Sequence, residues 1–277
     1  MEAMKAYIQL TRPLNLLIAF LSILVGGFIT GTIQPVEKLL LACFSGTFIA
    51  AGANSVNDYF DLEIDRINKS MRPLPRGAVS SKNAYFFALI LFGMGTVLGG
   101  AIHLTGFIIA LGSSCLLYLY SLRLKQTLIW GNVTVAFVSG LAFVYGGLAV
   151  GRIGPALIVG TFAFFYHWGR EIIKDIEDIE GDRSQNLKTL PIVCGVKPAL
   201  TWATVLLVIL IGLTLIPYVL RIFSILYLIV VTLGVNVFLV YVMVSMWKRP
   251  DSAHLGRLAL LMKFDMFFGL LAVYLGR

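Results

Sequence analysis

The chain has 277 residues, of which 58% are hydrophobic and 13% are charged, and its mean hydropathy is +0.89. This composition excludes an ordinary soluble domain, in which about 25% of the residues are charged. A net charge of +8 would be compatible with nucleic-acid binding in a soluble protein. Here the basic residues are distributed according to the side of the membrane, so we predict no nucleic-acid partner. The three cysteines form no CxxC or metal-binding spacing, and we interpret them as packing residues.

Apolar stretches of about 20 residues, long enough to cross a bilayer, recur along the whole chain. They predict an all-α membrane helix bundle that forms a single domain over residues 1–277. We predict nine transmembrane helices, at residues 14–33, 38–57, 83–100, 105–122, 132–150, 154–172, 198–218, 222–247 and 256–275.

The basic residues predict the orientation of this bundle. With the N-terminus in the cytoplasm, seventeen of the 22 Lys and Arg residues fall on the cytoplasmic side, and Lys263 lies within the last span. The four on the opposite side are Lys38, Arg152, Arg221 and Arg277. This bias fits the positive-inside rule and predicts a multi-pass protein of the cell membrane.

Ten of the fourteen acidic residues lie in two clusters, directly after the second and the sixth predicted spans. The first cluster is Asp58, Asp61, Glu63 and Asp65, and the second is Glu171, Asp175, Glu177, Asp178, Glu180 and Asp182. Both lie on the predicted cytoplasmic side, four spans apart, which indicates a weak internal duplication.

Helices continued through these clusters at 100° per residue present oxygen ligands as stripes, each on one face. The first stripe is Asn57, Asp61 and Asp65, and the second is Asp175, Asp178 and Asp182 with Glu171. Gly181 is a candidate helix end just before Asp182. Like charges one turn apart repel, so the stripes predict a bound cation. Mg²⁺ suits such oxygen ligands and shares its coordination shell with substrate phosphates.

Basic residues accompany both stripes. Lys69, Arg72 and Arg76 follow the first, Lys125 closes the fourth span, and Lys174 lies within the second. A phosphate held by metals on some oxygens needs Arg or Lys donors on the others. We therefore favour a diphosphate-binding role for Arg72 and Lys125.

Three sequence motifs resemble those of the UbiA-type intramembrane prenyltransferases. The first is Asn57-Asp58-x-x-Asp61-x-x-x-Asp65 followed by RPLPRG, and the second is REIIKDIEDIEGD at residues 170–182. The third runs from Tyr120 to Lys125 and is followed by Gly131-Asn132. Within this superfamily the chain most resembles the archaeal geranylgeranylglycerol-phosphate geranylgeranyltransferases.

The resemblance implies a role for each site residue. Two Mg²⁺ ions would bridge the protein to the diphosphate of a polyprenyl donor. Asn57, Asp61 and Asp65 would hold one ion, and Asp178 and Asp182 would hold the other with help from Asp175. Arg72, Lys125 and Lys174 would bind the remaining diphosphate oxygens. A phosphate on a lipid-like acceptor needs its own cation, for which we favour Arg12 over Arg76.

Two other functions remain open from the sequence. One is a UbiA-type prenyltransferase with an aromatic quinone-precursor or chlorophyllide-like acceptor, and the other is a cation transporter built from an internally repeated bundle. No obligate protein partner is inferred. Glycines within the spans, among them Gly93, Gly140 and Gly146, either open room for isoprenoid tails or let helices pack closely.

Overall fold

The computed structural model describes residues 2–277, and within that range the regular secondary structure is helical, without a strand. The α-helices are α1 Glu2–Thr11, α2 Pro13–Phe28, α3 Val36–Phe60, α4 Leu62–Asn68, α5 Ser81–Ile102, α6 Leu104–Leu122, α7 Trp130–Ala149, α8 Gly154–Glu177, α9 Ile179–Ser184, α10 Leu190–Cys194, α11 Val196–Val219, α12 Ile225–Val230, α13 Val237–Lys248 and α14 Ser252–Leu275. A 3₁₀-helix spans Leu124–Gln126, and a π-helical segment, Val231–Asn236, joins α12 to α13.

Seven helical segments in the described part of the chain are long and apolar enough to cross a membrane, and α12 to α13 counts as one of them. An eighth is possible if α1 and α2, which meet at 50°, form one bent span. Each of the nine predicted ranges overlaps a long helix, but α8 is not among the seven. Its last two turns carry charged side chains, including Arg170, Glu171, Lys174 and Asp175.

The break between α1 and α2 falls at Arg12. Pro13 lacks a backbone N–H and disfavours a helical conformation in the residue before it. Arg12 accordingly adopts φ 57° and ψ 74°, a left-handed conformation that is uncommon for a residue other than glycine. The turn directs the Arg12 side chain to the end of α3, where it contacts Asp58.

Two of the three glycines considered in the sequence, Gly140 and Gly146, serve close helix packing. A Cβ added at Gly140 of α7 would lie 2.5 Å from the carbonyl oxygen of Gly160 in α8, and one at Gly146 would collide with the Ile23 carbonyl of α2. A Cβ at Gly93 would meet nothing within 4 Å. Backbones in contact at Gly140 and Gly146 bring α2, α7 and α8 together, as small residues do in membrane bundles.

Candidate active site

Both acidic motifs lie on helices that break at the central aspartate. α3 gives way to α4 at Asp61, with φ −89° and ψ 4°, and α8 gives way to α9 at Asp178, with φ −90° and ψ 7°. The expectation of continuous helices is therefore wrong. Gly181 is also not a helix end, because α9 continues through it to Ser184. The matching breaks support the predicted internal duplication. The two short helices that follow the breaks, α4 and α9, pack against each other.

The first motif is organised around Asp58, whose side chain is 3% exposed. Arg12 contacts its carboxylate directly, and Arg72 donates to the same Oδ1 at 3.2 Å. Arg72 also donates to Asp65 Oδ2 at 2.5 Å. Burial raises the pKa of Asp65, and the neighbouring Arg72 charge opposes that rise. The proposed acceptor cation and the proposed diphosphate cation thus share one carboxylate.

Asp61 is the meeting point of three groups from separate parts of the site. Its Oδ2 accepts a hydrogen bond from the Asn57 amide at 2.7 Å, and its Oδ1 contacts the ammonium of Lys125. Lys125 is held by the short 3₁₀-helix after α6. Burial lowers its pKa to about 8, although the nearby Asp182 and Asp58 charges oppose that shift.

The second motif joins the first through Lys69. Its ammonium donates to both carboxylate oxygens of Asp178 at 3.0 Å, across 109 residues of sequence. Asp175 instead accepts a hydrogen bond from the Asn132 amide at 2.8 Å. Asp182 is buried and has no ion-pair partner within residues 2–277. Its pKa rises to about 6, mainly through burial and then through the Asp178 charge.

Two predicted cations have partners other than these aspartates. Lys174 donates to Glu171 at 2.7 and 2.9 Å, and Arg170 donates to the same carboxylate at 3.2 Å. Arg76 donates to Gln9 of α1 at 2.7 Å on the exposed surface. Of the two candidates for the acceptor phosphate, Arg12 therefore lies in the aspartate cluster and Arg76 lies beside it.

The donor set fits Mg²⁺. Within residues 2–277, no three His, Cys, Asp or Glu side chains converge closely enough to form a ready-made metal cage. Mg²⁺ seldom needs one, since it is commonly held by one or two carboxylates, waters and substrate phosphates. Asp182 supplies a buried carboxylate and Asp175 a half-buried one, neither with an ion-pair partner in this range, and Asn57 and Asp61 supply oxygens at the matching break.

The motifs predict no role for three residues that the structure brings into the site. They are Asp58, which pairs with two arginines, Lys69, which pairs with Asp178, and Asn132, which donates to Asp175. A further acid, Asp265, lies buried in α14, where its Oδ2 is 2.9 Å from the Tyr166 hydroxyl. The sequence does indicate Asp265 as a candidate, because an acidic residue inside an apolar span is rare and is a functional candidate by default.

Comparison with known proteins agrees with this geometry. A digeranylgeranylglyceryl phosphate synthase of Methanosphaera stadtmanae is 38% identical over 274 residues, or 99% of each chain. A solved structure described as giving "structural and mechanistic insights into the biosynthesis of Digeranylgeranylglyceryl phosphate synthase in membranes" has a TM-score of 0.78 and 36% identity, covering 100% of this chain and 99% of that one.

A more distant structure shares the fold. It is a UbiA homologue from Archaeoglobus fulgidus bound to GPP and Mg²⁺, with a TM-score of 0.72 and 22% identity, covering 97% of this chain and 99% of that one. Residues 19–270 match the description "UbiA prenyltransferase family", and that range includes both acidic motifs and the bundle that holds them. The chain belongs to the UbiA prenyltransferase family.

Proposed function

We propose that this protein transfers a geranylgeranyl group from geranylgeranyl diphosphate to geranylgeranylglyceryl phosphate, forming the second ether bond of an archaeal membrane lipid. The observation that carries the proposal is the cluster at one end of the bundle, where four cations contact four aspartates of the two motifs among the described residues. The full-length similarity to a digeranylgeranylglyceryl phosphate synthase supports the same substrate pair.

The two motifs divide the metal ligands between them. Asn57, Asp61 and Asp65 would hold one Mg²⁺, and Asp178 and Asp182 with Asp175 would hold a second. Mg²⁺ bound here would supply Lewis-acid stabilisation of the departing diphosphate.

The basic side chains bind the phosphates of both substrates. Arg72 and Lys125 bind diphosphate oxygens, and Lys174 lies one turn before Asp178 for the same purpose. Arg12, 28% exposed, binds the acceptor phosphate, and Arg76 is the second candidate. The bonds to the diphosphate strengthen as negative charge moves onto this leaving group, so they stabilise the transition state more than the bound donor.

The reaction is a substitution at C1 of the donor. The C1–O bond to the diphosphate breaks and its electron pair leaves on the diphosphate, the acceptor hydroxyl oxygen bonds to C1, and the hydroxyl proton passes to the released diphosphate or to water. The developing allylic cation must be kept from bulk water. The apolar helices around the cluster provide that exclusion, because the core beneath it is formed by buried aliphatic side chains of α8, α11 and α14.

The proposal includes a topology of nine spans, with the N-terminus and the active site in the cytoplasm of a multi-pass cell-membrane protein. Cys115 and Cys194 are exposed and would first be replaced. Single cysteines placed beside Lys69 and Lys188 should then react with a membrane-impermeant thiol reagent from one side, and a cysteine beside Arg221 from the other. Reaction of the cysteines beside Lys69 and Lys188 from opposite sides would contradict a single site formed by both motifs.

Product analysis tests the reaction itself. The purified chain is incubated with Mg²⁺, geranylgeranyl diphosphate and either geranylgeranylglyceryl phosphate or 4-hydroxybenzoate, and the products are identified by mass spectrometry. We expect the digeranylgeranyl ether from the first acceptor and no product without divalent metal. Preferential prenylation of hydroxybenzoate would move the protein to the aromatic-acceptor alternative. Family membership decides against the cation transporter.

A further inference from the structure

A cavity of about 770 Å³ opens at the end of the bundle opposite the aspartate cluster. It lies where α2, α11 and α14 end and where α8 and α12 begin. Its wall includes Pro155, which is roughly 35 Å along α8 from Asp178 at a rise of 1.5 Å per residue. The cavity is therefore separate from the proposed active site.

Two arginines, Arg221 and Arg277, line this cavity. Within residues 2–277, neither guanidinium has a carboxylate within ion-pairing distance. Glu37, the acid predicted on this face, lies in the first turn of α3 and does not line the cavity. Two guanidinium groups that line one cavity give it a positive potential, which favours an anionic ligand.

The backbone holds Arg221 in place. Arg221 adopts φ 56°, in the left-handed region that non-glycine residues seldom occupy. The loop is closed by the carbonyl of Pro217, which accepts hydrogen bonds from the N–H groups of Ile222 at 2.8 Å and Phe223 at 3.2 Å. Phe223 is buried beneath the loop. The position of Arg221 is thus set by the fold and not by the side chain alone.

Arg277 is placed by a different contact. Its guanidinium lies against Gly31, where φ is +95° and an added Cβ would collide with it. The residue before it, Gly276, accepts a hydrogen bond from the Ser224 N–H at 2.7 Å. That bond connects the end of α14 to the loop that carries Arg221, so the two segments that present the arginines are held together.

The rim of the cavity is apolar. Val219, Ile222 and Ile225 line it and are 73%, 44% and 52% exposed. An inorganic anion would leave these side chains uncovered, whereas a hydrocarbon chain would cover them. We infer that the cavity binds the phosphate headgroup of an anionic membrane lipid, with the phosphate on Arg221 and Arg277 and the chain against this rim.

Native mass spectrometry of the purified full-length chain in detergent tests this binding. Palmitoyl-oleoyl phosphatidylglycerol is titrated against the wild type, Arg221→Gln, Arg277→Gln and the double variant, with the zwitterionic phosphatidylcholine as a second lipid. A basic residue near a membrane surface contributes on the order of 1 kcal/mol to anionic lipid binding, so each substitution should weaken binding roughly fivefold. The double variant should lose about 25-fold, and phosphatidylcholine binding should be unchanged.

Arg152→Gln is the matched control, since Arg152 is exposed on the same predicted side and does not line the cavity. It should bind phosphatidylglycerol as the wild type does, and all variants should keep wild-type prenyl transfer. Equal weakening by Arg152→Gln would overturn the proposal in favour of a diffuse positive surface. Displacement of the lipid by millimolar inorganic phosphate would overturn it in favour of a free-phosphate site. Unchanged binding in the double variant would overturn it outright.

Discussion

Asp58→Asn should impair donor and acceptor handling together. The Asp58 carboxylate is 3% exposed and is contacted by Arg12 and Arg72, whose side chains are 28% and 25% exposed. Asparagine keeps an acceptor oxygen in the same place but removes the charge. A charge-assisted hydrogen bond is about twice as strong as a neutral one, so each contact weakens by about 1 kcal/mol. Two contacts give about 2 kcal/mol, or roughly thirtyfold in kcat/KM.

Steady-state kinetics with both substrates varied would measure this effect. We expect a lower kcat, because Arg72 loses one of its two carboxylates, and a higher acceptor KM, because Arg12 loses its carboxylate partner. Asp251→Asn is the control, since Asp251 lies on the surface with a loose 3.6 Å contact to Arg249, and it should behave as wild type. A change of less than about threefold in Asp58→Asn would show that the arginines are positioned without Asp58, contrary to the reasoning.

Other predictions test the rest of the site and the packing around it. Asp61→Ala and Asp178→Ala should each remove most turnover while leaving the bundle folded, with a lower thermal midpoint because each leaves a lysine without its carboxylate partner. Excess chelator should also remove turnover, and full activity in any of these cases contradicts the two-metal proposal. Arg12→Ala should raise the acceptor KM about ten- to hundredfold and the donor KM far less, because a charge-assisted bond is worth about 1.5–3 kcal/mol. Equal changes in both KM values would reject the assignment of Arg12 to the acceptor phosphate. Gly146→Ala should lower the free energy of unfolding by about 1–3 kcal/mol through overpacking against α2. Gly93→Ala is the control and should leave the free energy of unfolding unchanged. A thermal midpoint equal to wild type in Gly146→Ala would contradict the packing account.

Local pattern was enough to predict the helical class and the clustering of the acids. Hydropathy over 20 residues reports burial in lipid directly, so the predicted ranges overlap the long helices. Helical spacing also grouped Asp61 with Asn57, which the structure joins by a 2.7 Å hydrogen bond. These features depend on neighbours within one or two turns, and the sequence displays such neighbours openly.

Contacts between distant segments could not be read in this way. The break at Asp61 redirects α4, so Asp65 meets Arg72 instead of extending a straight stripe. Lys69 reaches Asp178 across 109 residues, and Asn132 reaches Asp175 across 43. Such pairs depend on how whole helices pack, and no local periodicity encodes them. The predicted helix end at Gly181 is wrong because glycine permits a helix to end but does not require it, and α9 continues through this residue.

The pairing of cations with the proposed metal ligands makes substrate binding an exchange of partners. Lys125 contacts Asp61, Arg72 contacts Asp65 and Lys69 contacts Asp178. Under the proposed assignment, a divalent ion that binds one of these carboxylates would free the lysine or arginine paired with it for a phosphate oxygen. Metal and diphosphate affinities would then be reciprocally coupled, each raising the other by the same factor. Either ligand alone would first have to break an ion pair, so the ternary complex would form cooperatively from a resting site in which three of the proposed metal ligands are already paired.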